Sequence, residues 1–184
     1  SVLIWDITSG SAQPESTLRG HKEVVRALCF SPCGKKLASG GGVNSDFSVL
    51  IWDITSGSAQ PESTLTVDSG LGGVQCVAYN GTGDTLAAGC SNGNIFLIDT
   101  ATSRVRESTL RGHSACVISV AFSPSDPFIL ASCSDDCTVR VWDITSGSTL
   151  STLSGHSNVV SCLAFDPKNS TRLVTGSWDE TIKV

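Results

Sequence analysis

The stretch WDITSGS stands at Trp5–Ser11, again at Trp52–Ser58 and again at Trp142–Ser148. A weaker version, Ile98-Asp99-Thr100-Ala101-Thr102-Ser103, falls between the last two. From Trp5 through Trp52 and Ile98 to Trp142 the spacings are 47, 46 and 44 residues. Gly-His pairs stand at Gly20-His21, Gly112-His113 and Gly155-His156, each followed by an apolar run ending in Phe-Ser-Pro or Phe-Asp-Pro. A fixed period in this window, with Trp-Asp closing one unit and Gly-His opening the next, marks an array of supersecondary units. Each is too small to bury its apolar face alone, so neighbours must stack.

Length and composition agree. A chain of 184 residues is long enough for one domain with a sizeable core. Its 18 glycines and few aromatics suit many short strands joined by tight turns. No apolar run approaches the ~18 residues of a membrane-spanning helix. The net charge of −5, with no basic cluster, argues against a nucleic-acid surface. No secretory signal is visible, and there is no Met anywhere. The expectation is a piece of something longer or a processed product.

With these motifs in this order, the whole chain resembles the WD-repeat family of β-propellers. The resemblance implies an all-β fold of four-stranded antiparallel blades, here about four of them. The repeats run approximately 7–53, 54–99, 100–143 and 144–184, and residues 1–6 form the last motif strand of a preceding repeat. In family terms a blade holds strands a to d. Val24–Phe30, Lys36–Gly40, Ser48–Asp53 and Pro61–Thr66 supply one set, and Pro14–Arg19 is an earlier strand d. Pro is tolerated there because an edge strand leaves one side unpaired. Val25, Ala27 and Cys29 alternate with Val24, Arg26 and Leu28, which suits a strand buried between blades. Residues 40–46 are expected to form a surface loop. Residues 1–18 and 48–65 are identical letter for letter, through an exposed loop as well as strands, which indicates a recent internal duplication or an artificially assembled chain.

Strands a, b and d each occur four times, but strand c occurs five times: at 1–6, 48–53, 94–99, 138–143 and 181–184. One c strand is left over, so the expectation is an open arc of a larger propeller, with apolar blade faces available for self-association. The second repeat departs from the pattern. Thr66–Leu71 replaces Gly-His, Ala88 replaces Ser or Thr, Asn92 replaces Asp, and Ile98 replaces Trp. It is expected to be held by packing alone and to be the softest blade.

The residues that could carry chemistry are repeated too. His21, Ser39 and Asp46 fit a Ser-His-Asp triad; so do His113, Ser132 and Asp136, and His156 with Thr175 and Asp179. All three histidines of the chain are used up in this way, leaving none for a unique active site. The serines also lie inside apolar strands, where a nucleophile lacks exposure and an oxyanion hole. The family resemblance implies a structural tetrad instead. Trp52 N–H would donate to Ser39, Ser39 to His21, and His21 to Asp46. Trp142, Ser132, His113 and Asp136 would repeat it, and His156, Thr175 and Asp179 would repeat three parts of it.

Eight Cys include no CxxC pair and no free His to complete a metal site. Cys76 and Cys162 fall at the blade position of Ala27 and Ser119, where small-residue packing accounts for them. Cys133 and Cys137 flank a hairpin and are the candidate bridge. Free Cys used as a small hydrophobe points to a reducing, cytoplasmic or otherwise intracellular compartment. The sequons at Asn80 and Asn169 sit in a–b turns, and turn chemistry accounts for both.

In the resembled family the d–a and b–c loops line one face of the ring, where partners dock. Here those positions hold Lys22, Glu23, Ser45, Ser114, Asp135, Ser157, Asn158 and Trp178. The function implied is a non-enzymatic scaffold for proteins or peptides, without a cofactor, metal, nucleic acid or membrane. The alternative is a propeller module of a longer enzyme or regulatory protein whose chemistry lies in another domain.

Overall fold

A computed structural model describes residues 1–42, 48–66 and 72–184. Among them there are strands and turns but no helix. β1 (Val2–Ile4) and β2 (Ser16–Leu18) form a two-stranded half-blade. Blade 1 follows with β3 (Val25–Phe30), β4 (Lys36–Gly41), β5 (Ser48–Asp53) and β6 (Ser63–Thr66). Blade 2 holds β7 (Val74–Tyr79), β8 (Thr85–Cys90), β9 (Ile95–Asp99) and β10 (Arg104–Leu110). Blade 3 holds β11 (Val117–Phe122), β12 (Ile129–Ser134), β13 (Thr138–Asp143) and β14 (Ser148–Ser154). Blade 4 has three strands, β15 (Val160–Asp166), β16 (Asn169–Ser177) and β17 (Ile182–Lys183). Every pairing is antiparallel between sequence neighbours, as tight hairpins allow. The all-β propeller architecture expected from the repeat is therefore present.

Local chemistry sets each turn. After β5, Asp53 Oδ1 accepts from the N–H and hydroxyl of Thr55, and Gly57 takes a φ of +69° that a side chain would resist. The identical sequence after β1 builds the same turn on Asp6. Each first strand of blades 1 to 4 carries a register shift after Val25, Val74, Val117 and Val160, and β15 carries a second between Phe165 and Asp166. The bulge turns the strand where the blade meets its loop.

Burial between neighbouring blades holds the stack together. Ala38, Val49 and Ile51 of blade 1 pack on Val77, Leu86 and Ile98 of blade 2. Leu97 and Ala87 of blade 2 pack on Val120, Leu130 and Trp142 of blade 3. Val139 and Cys133 of blade 3 meet Val160 and Leu163 of blade 4. Val2 and Leu18 of the half-blade meet Leu37, Leu50 and Trp52 of blade 1. Glycine on the second strand lets the next blade approach closely. A Cβ on Gly40 would stand 2.6 Å from Val74 Cγ1, and one on Gly89 2.7 Å from Val117 Cγ1. No core cluster of the described residues joins β1–β2 to β15–β17.

Four expectations are corrected. The expected strands from Pro14 and Pro61 begin only at Ser16 and Ser63, since Pro brings no N–H to the ladder. Gly40 and Gly41 belong to β4 and Gly42 is also buried, so the expected loop over 40–46 does not start at Gly40; its remainder lies outside the described residues. β3 is buried on only one face. Leu28 and Phe30 are more than half exposed, whereas Val77 and Tyr79, their counterparts in blade 2, are nearly covered. The half-blade supplies only β1 and β2, so those two side chains have nothing over them. Finally, repeat two is not held by packing alone. Arg106 donates to Thr85 Oγ1, Thr85 to Asp84, and Asn80 Nδ2 to Asp84, tying the a–b turn to β10.

Candidate functional site

The polar network is complete in blade 3. His113 sits in the loop before β11, Ser132 on β12, Asp136 in the β12–β13 hairpin and Trp142 on β13. Trp142 Nε1 donates to Ser132 Oγ at 2.8 Å. His113 Nε2 lies 2.8 Å from the same oxygen, and Nδ1 lies 2.8 Å from Asp136 Oδ2. The carboxylate can only accept, so Nδ1 carries the proton and Nε2 accepts from the serine hydroxyl. The chain thus runs indole to hydroxyl to imidazole to carboxylate. Blade 1 repeats its described part: His21 Nε2 is 2.7 Å from Ser39 Oγ, which accepts from Trp52 Nε1 at 2.8 Å. Asp46 lies outside the described residues. In blade 4, His156 contacts Thr175 Oγ1 at 2.9 Å and Asp179 Oδ2 at 2.8 Å, but no tryptophan joins them.

A further member was not foreseen. Thr138 donates to Asp136 Oδ1 and sits 3.3 Å from His113 Nδ1; Thr181 does the same with Asp179 and His156. The sequence signal was available as Asp-x-Thr in both hairpins. The Ser114 and Ser157 N–H groups complete the carboxylate shells.

Burial decides the electrostatics. Desolvation holds the His113 pKa below its ordinary 6.5, outweighing the attraction of Asp136. For Asp136 burial acts upward, yet hydrogen bonds from Thr138, His113 and Ser114 prevail and hold it at about 2. The Thr181 hydroxyl, followed by His156, likewise holds Asp179 well below the carboxylate range. A neutral imidazole on a permanent carboxylate suits a strut. Ser132 is fully buried, with the indole on one side of its oxygen and the imidazole on the other, so no substrate carbonyl has a path to it. The network ties the loop before a blade's first strand to that blade's second and third strands.

The eight thiols are all free, including Cys133 and Cys137. Burial pushes Cys90 and Cys133 up to about 12 and Cys116 to about 11, and raises Cys76 as well. These thiols stay protonated and serve as small apolar fillers. Among the described residues no group of three or more His, Cys, Asp or Glu is placed to hold a metal ion. Asn80 of the first sequon is buried, and its amide oxygen accepts from the Gly83 and Thr85 N–H groups.

The loop positions nominated for partners come together at one end of each blade. Lys22, Ser114, Asp135, Ser157, Asn158 and Trp178 are exposed, Glu23 is half-buried, and Ser45 lies outside the described residues. Backbone bonds from Asp135 to Cys116 and from Trp178 to Val159 clamp the two loops of blades 3 and 4 together. Ser177 Oγ adds a bond to the Asn158 carbonyl. Trp178, 66 % exposed, projects from a hairpin fixed on both sides.

A family model described as WD domain, G-beta repeat, matches residues 12–53, 60–99, 104–143 and 147–184. No curated protein matches the chain.

Proposed function

We propose, from the premise that this chain belongs to the WD-repeat family of β-propellers, that it is a rigid, non-enzymatic platform on which other proteins or peptides dock. Members of the family typically serve protein interactions, and fold alone names no partner. The observation that carries the reading is the contrast between the two ends of one network. The imidazoles and hydroxyls are sunk in the blades, while the loops they brace present an exposed rim around Trp178. A large aromatic on a fixed hairpin loses little freedom on binding, which is what an interface anchor requires. Eight free cysteines favour a reducing, intracellular compartment for this platform.

The test is calorimetry with peptides selected from a random display library against the intact chain. Trp178→Ala is expected to weaken the selected peptides at least about tenfold, the ~1.4 kcal/mol of a modest hot spot, without moving Tm. Binding indifferent to Trp178→Ala, Asp135→Lys and Asn158→Ala alike, or a hydrolytic turnover abolished by His113→Ala at unchanged Tm, contradicts the reading.

A further inference from the structure

Of the eight thiols only Cys33 and Cys162 are exposed. Cys33 stands in the turn between β3 and β4. The Ser31 N–H on the Lys36 carbonyl and the Gly34 N–H on the Ser31 carbonyl close that turn. Ser31 Oγ accepts from the Lys36 N–H at 3.0 Å and lies 3.3 Å from Cys33 Sγ. The hydroxyl therefore still has its proton to give, and a thiolate is the form of the sulfur that receives it. The Ser31 hydroxyl first, then the Lys35 N–H, hold the Cys33 pKa below its ordinary 9.0, and the Lys35 charge adds to this. An exposed sulfur held toward the thiolate is a nucleophile, whereas Cys76, Cys90, Cys116 and Cys133 are kept protonated by burial.

Across the seam, in blade 2, a donor waits without an acceptor. Tyr79 is 9 % exposed, and its hydroxyl is buried with no hydrogen-bond partner among the described residues. A buried polar group left so is uncommon and costly. The ring packs into blade 1, in the cluster that holds Ala38, Ile51 and Leu65, with Cys29 against it. Burial raises the Tyr79 pKa above its ordinary 10, and Cys29, Cys33 and Glu62 lie near enough to raise it further, so the hydroxyl is aimed at the β3–β4 turn. The turns of the two blades also touch: a Cβ on Gly83 would lie 3.3 Å from Pro32 Cδ. Both blades have four strands, so the site lies away from the half-blade and from blade 4.

We infer that Cys33 is a site of reversible oxidation, taken by hydrogen peroxide to a sulfenic acid whose new oxygen accepts from the Tyr79 hydroxyl. The thiolate sulfur attacks one peroxide oxygen, and the S–O bond forms as the O–O bond breaks. The other oxygen leaves as hydroxide and takes a proton from solvent to become water. Sulfur is oxidised by two electrons and the peroxide is reduced by two. Two small thiols reverse the step. The first displaces water to give a mixed disulfide, and the second releases the Cys33 thiolate as the two small thiols pair. The phenol, orphaned beside the thiol, gains its acceptor only in the oxidised form, and the new bond crosses from blade 2 to blade 1.

Dimedone trapping on the 184-residue chain after a pulse of hydrogen peroxide, read by peptide mass spectrometry, tests this. Label at Cys33 is expected to exceed that at Cys162, the other exposed thiol, by at least about tenfold. Cys33→Ser is expected to remove it. Tyr79→Phe keeps the ring and deletes only the unpaired hydroxyl, so the reduced protein is expected to melt no lower than the parent. In that variant Cys33 is expected to react with peroxide at the parent rate, while the sulfenic acid, read by delayed addition of dimedone, decays several-fold faster. Equal labelling of Cys33 and Cys162, or a sulfenic acid as long-lived in Tyr79→Phe as in the parent, overturns the inference.

Discussion

Trp142 Nε1 stands 2.8 Å from Ser132 Oγ, and that one oxygen is also 2.8 Å from His113 Nε2. A buried hydroxyl that accepts from an indole and donates to an imidazole has its one donor and one of its two acceptor sites used within the blade. The geometry uses the residue types of a catalytic triad for cohesion.

Removal of the imidazole therefore acts on stability. His113→Ala leaves Ser132 and Asp136 without their partner, at a cost of roughly 1–3 kcal/mol. For a chain of this size that is a Tm drop of roughly 2–12 °C, measured by thermal melting. A His113→Ala chain that melts like the parent contradicts the strut.

The sequence showed this network through residue types at fixed places: Gly-His before a strand, Ser or Thr within the next, Asp in the hairpin, Trp closing. Thr138 and Thr181 were visible only as Asp-x-Thr in the hairpins, which reads equally as ordinary turn chemistry and so did not mark them as members. Repeat two misled for a similar reason. The missing His, Ser and Trp were visible, while the substitute contacts among Asn80, Asp84, Thr85 and Arg106 depend on β10 lying beside the a–b turn. The exposure of Leu28 and Phe30 was hidden because alternation says which residues share a face, not whether anything covers it.

Blade 2 is consequently not the soft one. All six residues of β8 are buried, with a neighbouring blade packed on each side. Amide exchange of Thr85–Cys90 is expected to be at least as slow as that of Ile129–Ser134. Faster exchange in β8 restores the softer picture.

Acid weakens blade 3 with a definite sign. His113 has its folded pKa below 6.5, so as pH falls the unfolded chain takes up that proton first. Its contribution is full above 6.5 and declines below it. Asp136, held at about 2 against 3.8, follows the same direction, and its contribution is lost as pH falls from 3.8 toward 2. Tm is expected to fall through both windows, and Asp136→Asn to flatten the lower one. A parent Tm that rises on acidification between these values contradicts the assignment.

The central claim is that the blades bury the network and leave the rim free. It is tested most directly by hydrogen exchange of the indole N–H groups in one NMR spectrum. Trp52 and Trp142 Nε1–H are expected to exchange only on global unfolding, and Trp178 Nε1–H at nearly the free rate. Exchange of Trp142 as fast as that of Trp178 would show that the network is open to solvent.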